Sequence, residues 1–110
     1  MNPESEYRKL LETRGVSLEN PGLAEIALDR ADAILATGML LRASIPILGG
    51  DVYYRGKLGI ESAYANWHSD PIPGEERKDF ASRSCLEAKS YIEKFPVGEA
   101  QPVFVLVIDS

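Results

Sequence analysis

Cysteine and histidine are nearly absent from this 110-residue sequence, which contains only Cys85 and His68. A single cysteine excludes an intramolecular disulfide and makes a reducing compartment the expected location. One histidine and one cysteine are too few for a zinc centre. The acidic residues follow none of the spacings of a calcium loop. The sequence therefore predicts no metal site.

Long apolar runs are also missing. No run approaches the ~20 residues that cross a bilayer, because Arg42 and Pro46 interrupt the longest candidates. The first six residues lack the basic start and apolar run of a secretory signal. We therefore expect a cytoplasmic protein that makes no contact with a membrane.

Positive charge is scarce: 12 Lys and Arg stand against 17 Asp and Glu, for a net charge of −5 and a pI near 4.8. Nucleic-acid binding needs clustered cations, so we expect no nucleic-acid partner. An acidic surface instead favours basic partners and speeds their approach. The stretch from Leu58 to Glu76 has no Lys or Arg at all, yet it carries Glu61, Asp70 and Glu75.

Catalytic motifs are missing as well. Cys85 falls on the apolar stripe of a predicted helix, where a cysteine is usually a small buried hydrophobe rather than a nucleophile paired with His68. Residues 50–57 lack the spacing and the Ser or Thr of a phosphate loop. No Gly-x-Gly-x-x-Gly or Gly-x-Ser-x-Gly motif is present. We predict that the protein is not an enzyme; an enzymatic alternative would depend on His68, Asp70 and Cys85.

Helical periodicity and turn signals predict three helices. Pro3 and the acids that follow it indicate a helix from about residue 3 to 14, and Asn20-Pro21-Gly22 predicts a turn. Asp29 suits the N-cap of a second helix, which is apolar nearly all round and is expected to be mostly buried. A third helix is predicted from about Glu75 to Lys94. Its inward stripe is Ala81, Ser84 or Cys85, Ala88, Tyr91, Ile92 and Phe95.

Three further segments are typical of strands. Ile45 to Tyr54 is apolar and rich in β-formers, and Gly49-Gly50 within it predicts a bulge, a kink or a tight turn. A hairpin connection then leads to a partner strand from Ile60 to Trp67. Pro102 to Ile108 is a nearly continuous β-branched run, as in a strand that is buried on both faces or central in the sheet.

The order of these elements predicts an α+β fold and one domain over residues 1–110. We expect a small mixed or antiparallel sheet of about three strands, packed against two or three helices. A parallel pairing of the last strand with one of the first two stays open, because that strand follows a helix rather than a hairpin.

Aromatic residues accompany the acids of the hairpin. Tyr64 and Trp67 lie in the stretch without cations, and further acids and tyrosines face it across the hairpin. One interpretation is that Trp67 and one tyrosine belong to the core while the acids form an ordinary solvated face. The other is an acidic, aromatic contact surface for a basic protein. Its predicted partner-binding residues are Asp51, Tyr53, Tyr54, Glu61, Tyr64, Trp67 and Asp70.

Three short segments together resemble the immunity protein forty family of bacterial polymorphic-toxin systems. They are Leu48-Gly49-Gly50-Asp51-Val52-Tyr53, the later Tyr64-Ala65-Asn66-Trp67, and the earlier Ala24-Glu25-Ile26-Ala27-Leu28. The resemblance spans roughly residues 24–95.

The resemblance implies a small cytosolic protein, made beside a secreted toxin, that binds the toxin's C-terminal domain and blocks it. It implies neither enzyme activity nor a cofactor. Among its marked positions we expect Gly49, Gly50 and Asn66 to be structural.

Two functions therefore stay open. The first is stoichiometric neutralisation of a cognate, basic toxin domain through the acidic, aromatic surface. The second is a small-molecule-binding regulatory domain, with Trp67, Tyr53 and Tyr64 lining a pocket near the glycine bulge.

Overall fold

Three helices lie on one face of a five-stranded antiparallel sheet in the computed structural model, which describes residues 3–18, 25–57 and 59–109. The predicted turn at Asn20-Pro21-Gly22 and the residue Leu58 lie outside these ranges. The elements are α1 (Pro3–Arg14), β1 (Val16–Ser17), β2 (Ile26–Asp29), α2 (Arg30–Arg42), β3 (Ile47–Gly56), β4 (Gly59–His68), α3 (Arg77–Lys94) and β5 (Gln101–Ile108).

The strands of the described residues follow the order β1-β2-β5-β3-β4, and every pairing between them is antiparallel. The predicted α+β class is confirmed. The expected number of about three strands is too low, because β1 and β2 span only two and four residues and show too little alternation to be recognised. The parallel pairing left open for the last strand is also wrong, since β5 lies antiparallel between β2 and β3.

Helix α2 begins with a side-chain cap and ends with a backbone cap. Asp29 is the predicted N-cap, and its Oδ1 accepts a hydrogen bond from the Asp32 N–H at 2.8 Å. At the C-terminus Ser44 takes a left-handed conformation, with φ of 56°. The Ser44 N–H donates to Leu41 O and the Ile45 N–H to Leu40 O, which is the Schellman pattern. The chain can therefore turn at once into β3.

The main core lies between the helices and the sheet. On α3 the predicted inward stripe is confirmed, since Ala81, Ser84, Cys85, Ala88 and Ile92 are all buried. On α2, burial is less complete than predicted, because the Leu35 side chain stays half exposed. The core also includes Tyr7, Leu10, Leu28, Ala33, Ala36, Leu40, Ile45, Ile47, Val52 and Phe104. We call this side of the sheet the helix face.

The other side of the sheet, which we call the open face, carries a smaller apolar cluster. Leu18, Ala27, Val103 and Val105 are buried in it, and Tyr53 and Ile60 pack against them. Strand β5 therefore contributes to both clusters, with Phe104 on the helix face and the flanking valines on the open face. The prediction that β5 is central is confirmed, and residues 102–105 are buried, whereas Val107 is 44% exposed.

Two irregularities shape the β3–β4 hairpin. On β3 the register to β5 shifts between Ile47 and Gly49, which places a bulge at Leu48, directly before the glycine pair where one was expected. On β4 the pairing passes from Val52↔Ala65 to Tyr53↔Ser62, which leaves Ala63 and Tyr64 as extra residues. The sequence did not predict this second bulge.

Candidate functional site

The alternation of β3 and β4 sorts the predicted partner-binding residues onto two faces of the sheet. Asp51 and Tyr53 alternate with Val52, which belongs to the helix-face core, and therefore lie on the open face. Tyr64 is part of the β4 bulge; the residues on either side of it, Ala63 and Ala65, pack on the helix-face core, while the Tyr64 side chain extends into solvent. Tyr54 and Trp67 lie on the helix face. The remaining two predicted residues, Glu61 and Asp70, are exposed.

Trp67 is a structural side chain of the hairpin. Its ring stacks on Tyr91 of α3 with a centroid distance of 4.7 Å and an interplanar angle of 27°. It also covers its cross-strand neighbour Gly50, where an added Cβ would lie 2.7 Å from Trp67 Cζ3. Among the described residues, the buried Trp67 Nε1 has no hydrogen-bond partner. Tyr54 is half-buried on the same face, with its ring centroid 6.3 Å from that of Phe95.

Tyr53 joins the open-face cluster to two acids. Its hydroxyl oxygen lies 3.5 Å from Glu25 Oε2, and the ring packs on Leu18 and its neighbours. Burial, followed by the negative charges of Glu25 and Asp51, raises the pKa of Tyr53 above its ordinary value. The phenol is therefore a neutral hydrogen-bond donor within an acidic surrounding.

Tyr64 is the most exposed large hydrophobic side chain among the described residues. Its relative exposure is 94%, and its backbone is left-handed, with φ of 54°. The Tyr64 N–H donates to Ser62 Oγ at 3.1 Å, which holds the bulge closed. A left-handed aromatic residue costs on the order of 1–2 kcal/mol, and no burial of the ring offsets this cost. The strained bulge presents an aromatic side chain directly to solvent.

The loop that follows β4 is clamped to α3 by Arg83. Arg83 Nε donates to Glu75 Oε2 at 3.0 Å, and its other nitrogens donate to Glu87 Oε1 at 2.9 Å and to the Asp70 carbonyl at 2.6 Å. The hydrogen bonds from Arg83 and from the Ile72 N–H lower the pKa of Glu75 to about 2. Sequence reasoning missed this clamp, although Arg83 and Glu87 stand at helical i,i+4 spacing.

Some acidic side chains near this clamp form ion pairs, and others are exposed to solvent. Glu75 and Glu87 are both ion-paired to Arg83, whereas Asp70 exposes 83% of its side chain. The Asp70 carboxylate lies 4.0 Å from Nε2 of His68, which is itself 76% exposed. Because residues 59–76 contain no Lys or Arg, the negative charges of Asp70 and Glu61 face solvent without a cation from their own segment.

The three aromatic residues predicted to line one pocket do not come together. Tyr53 lines a cleft of about 560 Å³ on the open face, with Leu18, Arg55 and Ile60 among its neighbours. Neither Trp67 nor Tyr64 lines this cleft. The small-molecule alternative therefore lacks the aromatic pocket on which it was based.

Comparison with known protein families identifies the family of this chain. The family model described as immunity protein 40 matches residues 17–108, which include the hairpin and the central strand β5. This chain belongs to the immunity protein 40 family. The match extends past the roughly 24–95 expected from the short segments and confirms that resemblance. No curated protein and no solved structure gives a significant match.

Membership in the immunity protein 40 family indicates an immunity protein and implies a toxin as its partner. Proteins of such a family are generally not enzymes. Cys85 fits this view, since it is 1% exposed, burial raises its thiol pKa to about 11, and its Sγ donates to Ile45 O at 3.4 Å.

The structure places Cys85 in the helix-face core and His68 in solvent on the other side of the hairpin. The enzymatic alternative is therefore left without an assembled pair. Within the described part of the chain, no group of three His, Cys, Asp or Glu side chains is arranged to hold a metal ion. Among the described helices, none combines the length and the apolar character of a membrane span.

Proposed function

We propose that this chain neutralises a cognate bacterial toxin domain by binding it stoichiometrically through the open face of the β3–β4 hairpin. The contact region, which we call the hairpin surface, consists of Asp51, Tyr53, Tyr64 and Asp70, together with Asn66, which we expected from the sequence to be structural and which pairs with Asp51 across the hairpin. The observation that carries the proposal is the side chain of Tyr64, 94% exposed on a backbone bulge in a chain that belongs to an immunity family. An exposed aromatic residue ringed by polar groups is a common interface anchor.

The charge of the hairpin surface favours a basic partner. Asp51 and Asp70 contribute acids, and residues 59–76 contain no Lys or Arg. With a net charge of −5, the whole chain attracts a basic toxin domain before contact is made. We therefore infer that the toxin presents Lys and Arg around an apolar or aromatic recess that accepts Tyr64.

Trp67 and Tyr54 support the hairpin surface from behind. Trp67 packs on Tyr91 of α3, and Tyr54 packs on Phe95, the C-cap of that helix. The hairpin is therefore fixed against the helix layer. A rigid hairpin lowers the entropy lost on binding. Truncating either side chain would weaken neutralisation by destabilising the hairpin, so such variants do not test direct contact with the toxin.

The family also suggests where neutralisation takes place. An immunity protein that protects the cell producing the toxin would act in the cytoplasm, and a single buried, unpaired thiol suits a reducing compartment.

Co-expression with the toxin domain encoded beside this chain tests the proposal. The unaltered chain should restore growth and form a one-to-one complex. The double variant Tyr64→Asn/Asp51→Lys should lose protection, because it removes the anchor and reverses a steering charge. Asn tolerates the left-handed backbone at position 64, so the variant should stay folded.

Leu86→Asn is the matched control. Leu86 is 56% exposed on α3, in a groove lined by α2 and α3 residues, and its loss should leave protection unchanged. If the double variant is folded by circular dichroism and still protects fully, the hairpin surface is the wrong contact. If the unaltered chain neither binds nor protects, the proposed function itself fails.

A further inference from the structure

Strand β4 forms a long, free edge of the sheet. It spans 10 residues and stands last in the strand order, with β3 as its pairing partner in the described part of the chain. Natural edge strands are usually short or are guarded by Lys, Pro or a covering element. Residues 59–68 contain no Lys, Arg or Pro. The edge is therefore open to a strand from another chain.

The ladder to β3 determines which backbone groups of β4 face outward. The Ser69 N–H donates to Leu48 O at 2.9 Å, just beyond the Gly49↔His68 pair. Hydrogen-bonded and non-hydrogen-bonded pairs alternate in an antiparallel ladder. The N–H and C=O groups of Asn66 and His68 therefore point away from β3, toward the free edge. An added strand forms its hydrogen bonds with every second residue of an edge, and Asn66 and His68 have this spacing.

The bulge at Ala63 and Tyr64 limits the length of this template. The Tyr64 N–H is already used by Ser62 Oγ, so the edge is interrupted there. Bulges of this kind discourage the pairing of two long edges. The regular part from Ala65 to His68 is left as a short template, and the exposed Tyr64 ring stands at its end.

We propose that the toxin domain docks in part by β-augmentation, in which an extended basic segment of the toxin pairs with the Ala65–His68 edge beside Tyr64. This inference rests on the proposed function, since it names how the same partner is held. The charge of the edge favours a basic occupant, because Asp70 lies two residues after the template and residues 59–76 contain no Lys or Arg. A second copy of this chain would bring like charges together, whereas Lys and Arg on the toxin strand would pair with them.

A pair of substitutions at Asn66 separates backbone pairing from side-chain contact. Asn66→Pro removes an N–H that points to the free edge and is not part of the ladder to β3, where proline is tolerated. Asn66→Ala removes the side chain and keeps the N–H. We expect the proline variant to bind the toxin domain about tenfold more weakly than the alanine variant, because a backbone hydrogen bond and close approach are lost.

Amide exchange of the unaltered chain provides a measurement that needs no variant. In the free protein the Asn66 and His68 N–H groups should exchange fast while the Ala65 and Trp67 N–H groups, which face β3, are protected. Addition of the toxin domain should slow the exchange at Asn66 and His68. This readout stands even if Asn66→Pro fails to fold.

The outcomes distinguish the two proposals. If the toxin domain binds and the Asn66 and His68 amides stay fast, or if the proline and alanine variants bind equally, β-augmentation is overturned while neutralisation stands. If the toxin domain does not bind at all, both proposals fail. A dimer of the free chain that Asn66→Pro dissociates would assign the edge to a second copy and would also overturn the inference.

Discussion

Ser44 and Tyr64 are the non-glycine residues with a left-handed backbone in the described part of the chain, and they use it differently. At Ser44 the conformation closes a helix through two backbone hydrogen bonds. At Tyr64 it turns an aromatic ring into solvent at the edge of the sheet. The first serves the fold. The second brings the fold no evident gain, which is why we associate it with binding.

Ser44→Gly tests the helix cap. Glycine adopts the left-handed conformation without the steric cost of a Cβ, so the free energy of unfolding should rise by about 1 kcal/mol. Ser44→Ala is the control and should give no such gain, since alanine keeps the Cβ. Urea unfolding followed by circular dichroism measures both. A loss of stability in the glycine variant would contradict the proposed role of the cap.

Gly50→Ala tests the close packing of β3 against Trp67 and β5. The added methyl would meet the indole ring, 2.7 Å from Cζ3, and also the backbone carbonyl oxygen of Val105, so the hairpin must shift and the free energy of unfolding should fall by about 2 kcal/mol. Trp67 fluorescence should change with it. At Gly98 an added Cβ meets no atom within 4 Å, so Gly98→Ala should change stability by less than about 0.5 kcal/mol. Equal effects of the two substitutions would contradict this account.

At the scale of the element, the sequence predicted the helices and the hairpin well. Long periodic segments carry a clear signal, which is why α1, α3 and the two hairpin strands were placed within a few residues of their observed bounds. Strands β1 and β2 were missed, because a strand of two to four residues is defined by its partner rather than by its own pattern. Likewise, the position of β5 between β2 and β3 depends on contacts distant in sequence.

The sequence predicted which types of residue form the candidate site, but not how they are arranged in space. The sequence showed that acids and aromatic residues collect on the hairpin, but the faces depend on the register and on two bulges. The Gly49-Gly50 pair, which directly follows the first bulge, was the sequence signal for it. The second, at Ala63 and Tyr64, contains no glycine and has no signal in the sequence. The separation of Tyr64 from Trp67 therefore became visible only in the structure.

The loop between β4 and α3 should respond to acid through Glu75. Its pKa is about 2 in the folded chain against an ordinary value of 4.5, so the unfolded chain takes up the proton first as pH falls. The stabilisation is present above about pH 4.5 and is lost between that value and pH 2. Urea unfolding at pH 6, 4 and 3 should show this decline.

Glu75→Gln should make the decline shallower, because the titrating carboxylate is gone. Glu76→Gln is the matched control: Glu76 is the adjacent N-cap of α3, and its side chain makes no capping hydrogen bond. The control should keep the slope of the unaltered chain. An identical pH dependence for Glu75→Gln and the unaltered chain would show that the Arg83 clamp does not contribute to stability.

At the scale of the whole molecule, the two faces of the sheet divide the work. The helix face holds the core and anchors the hairpin through Trp67, while Asp51 on the open face and the exposed Tyr64 belong to the proposed contact region. The net charge of −5 adds a long-range attraction for a basic partner. Because salt screens such attraction, the association rate with the toxin domain should fall as ionic strength rises.

Calorimetric titration of the toxin domain into the unaltered chain and into Tyr64→Asn tests the central claim most directly. We expect one-to-one binding to the unaltered chain. For Tyr64→Asn we expect a Kd about 30-fold higher, the effect of losing a typical anchor residue, and an undiminished melting temperature. A folded Tyr64→Asn variant that binds with the Kd of the unaltered chain would contradict the claim that the exposed face of this hairpin holds the toxin.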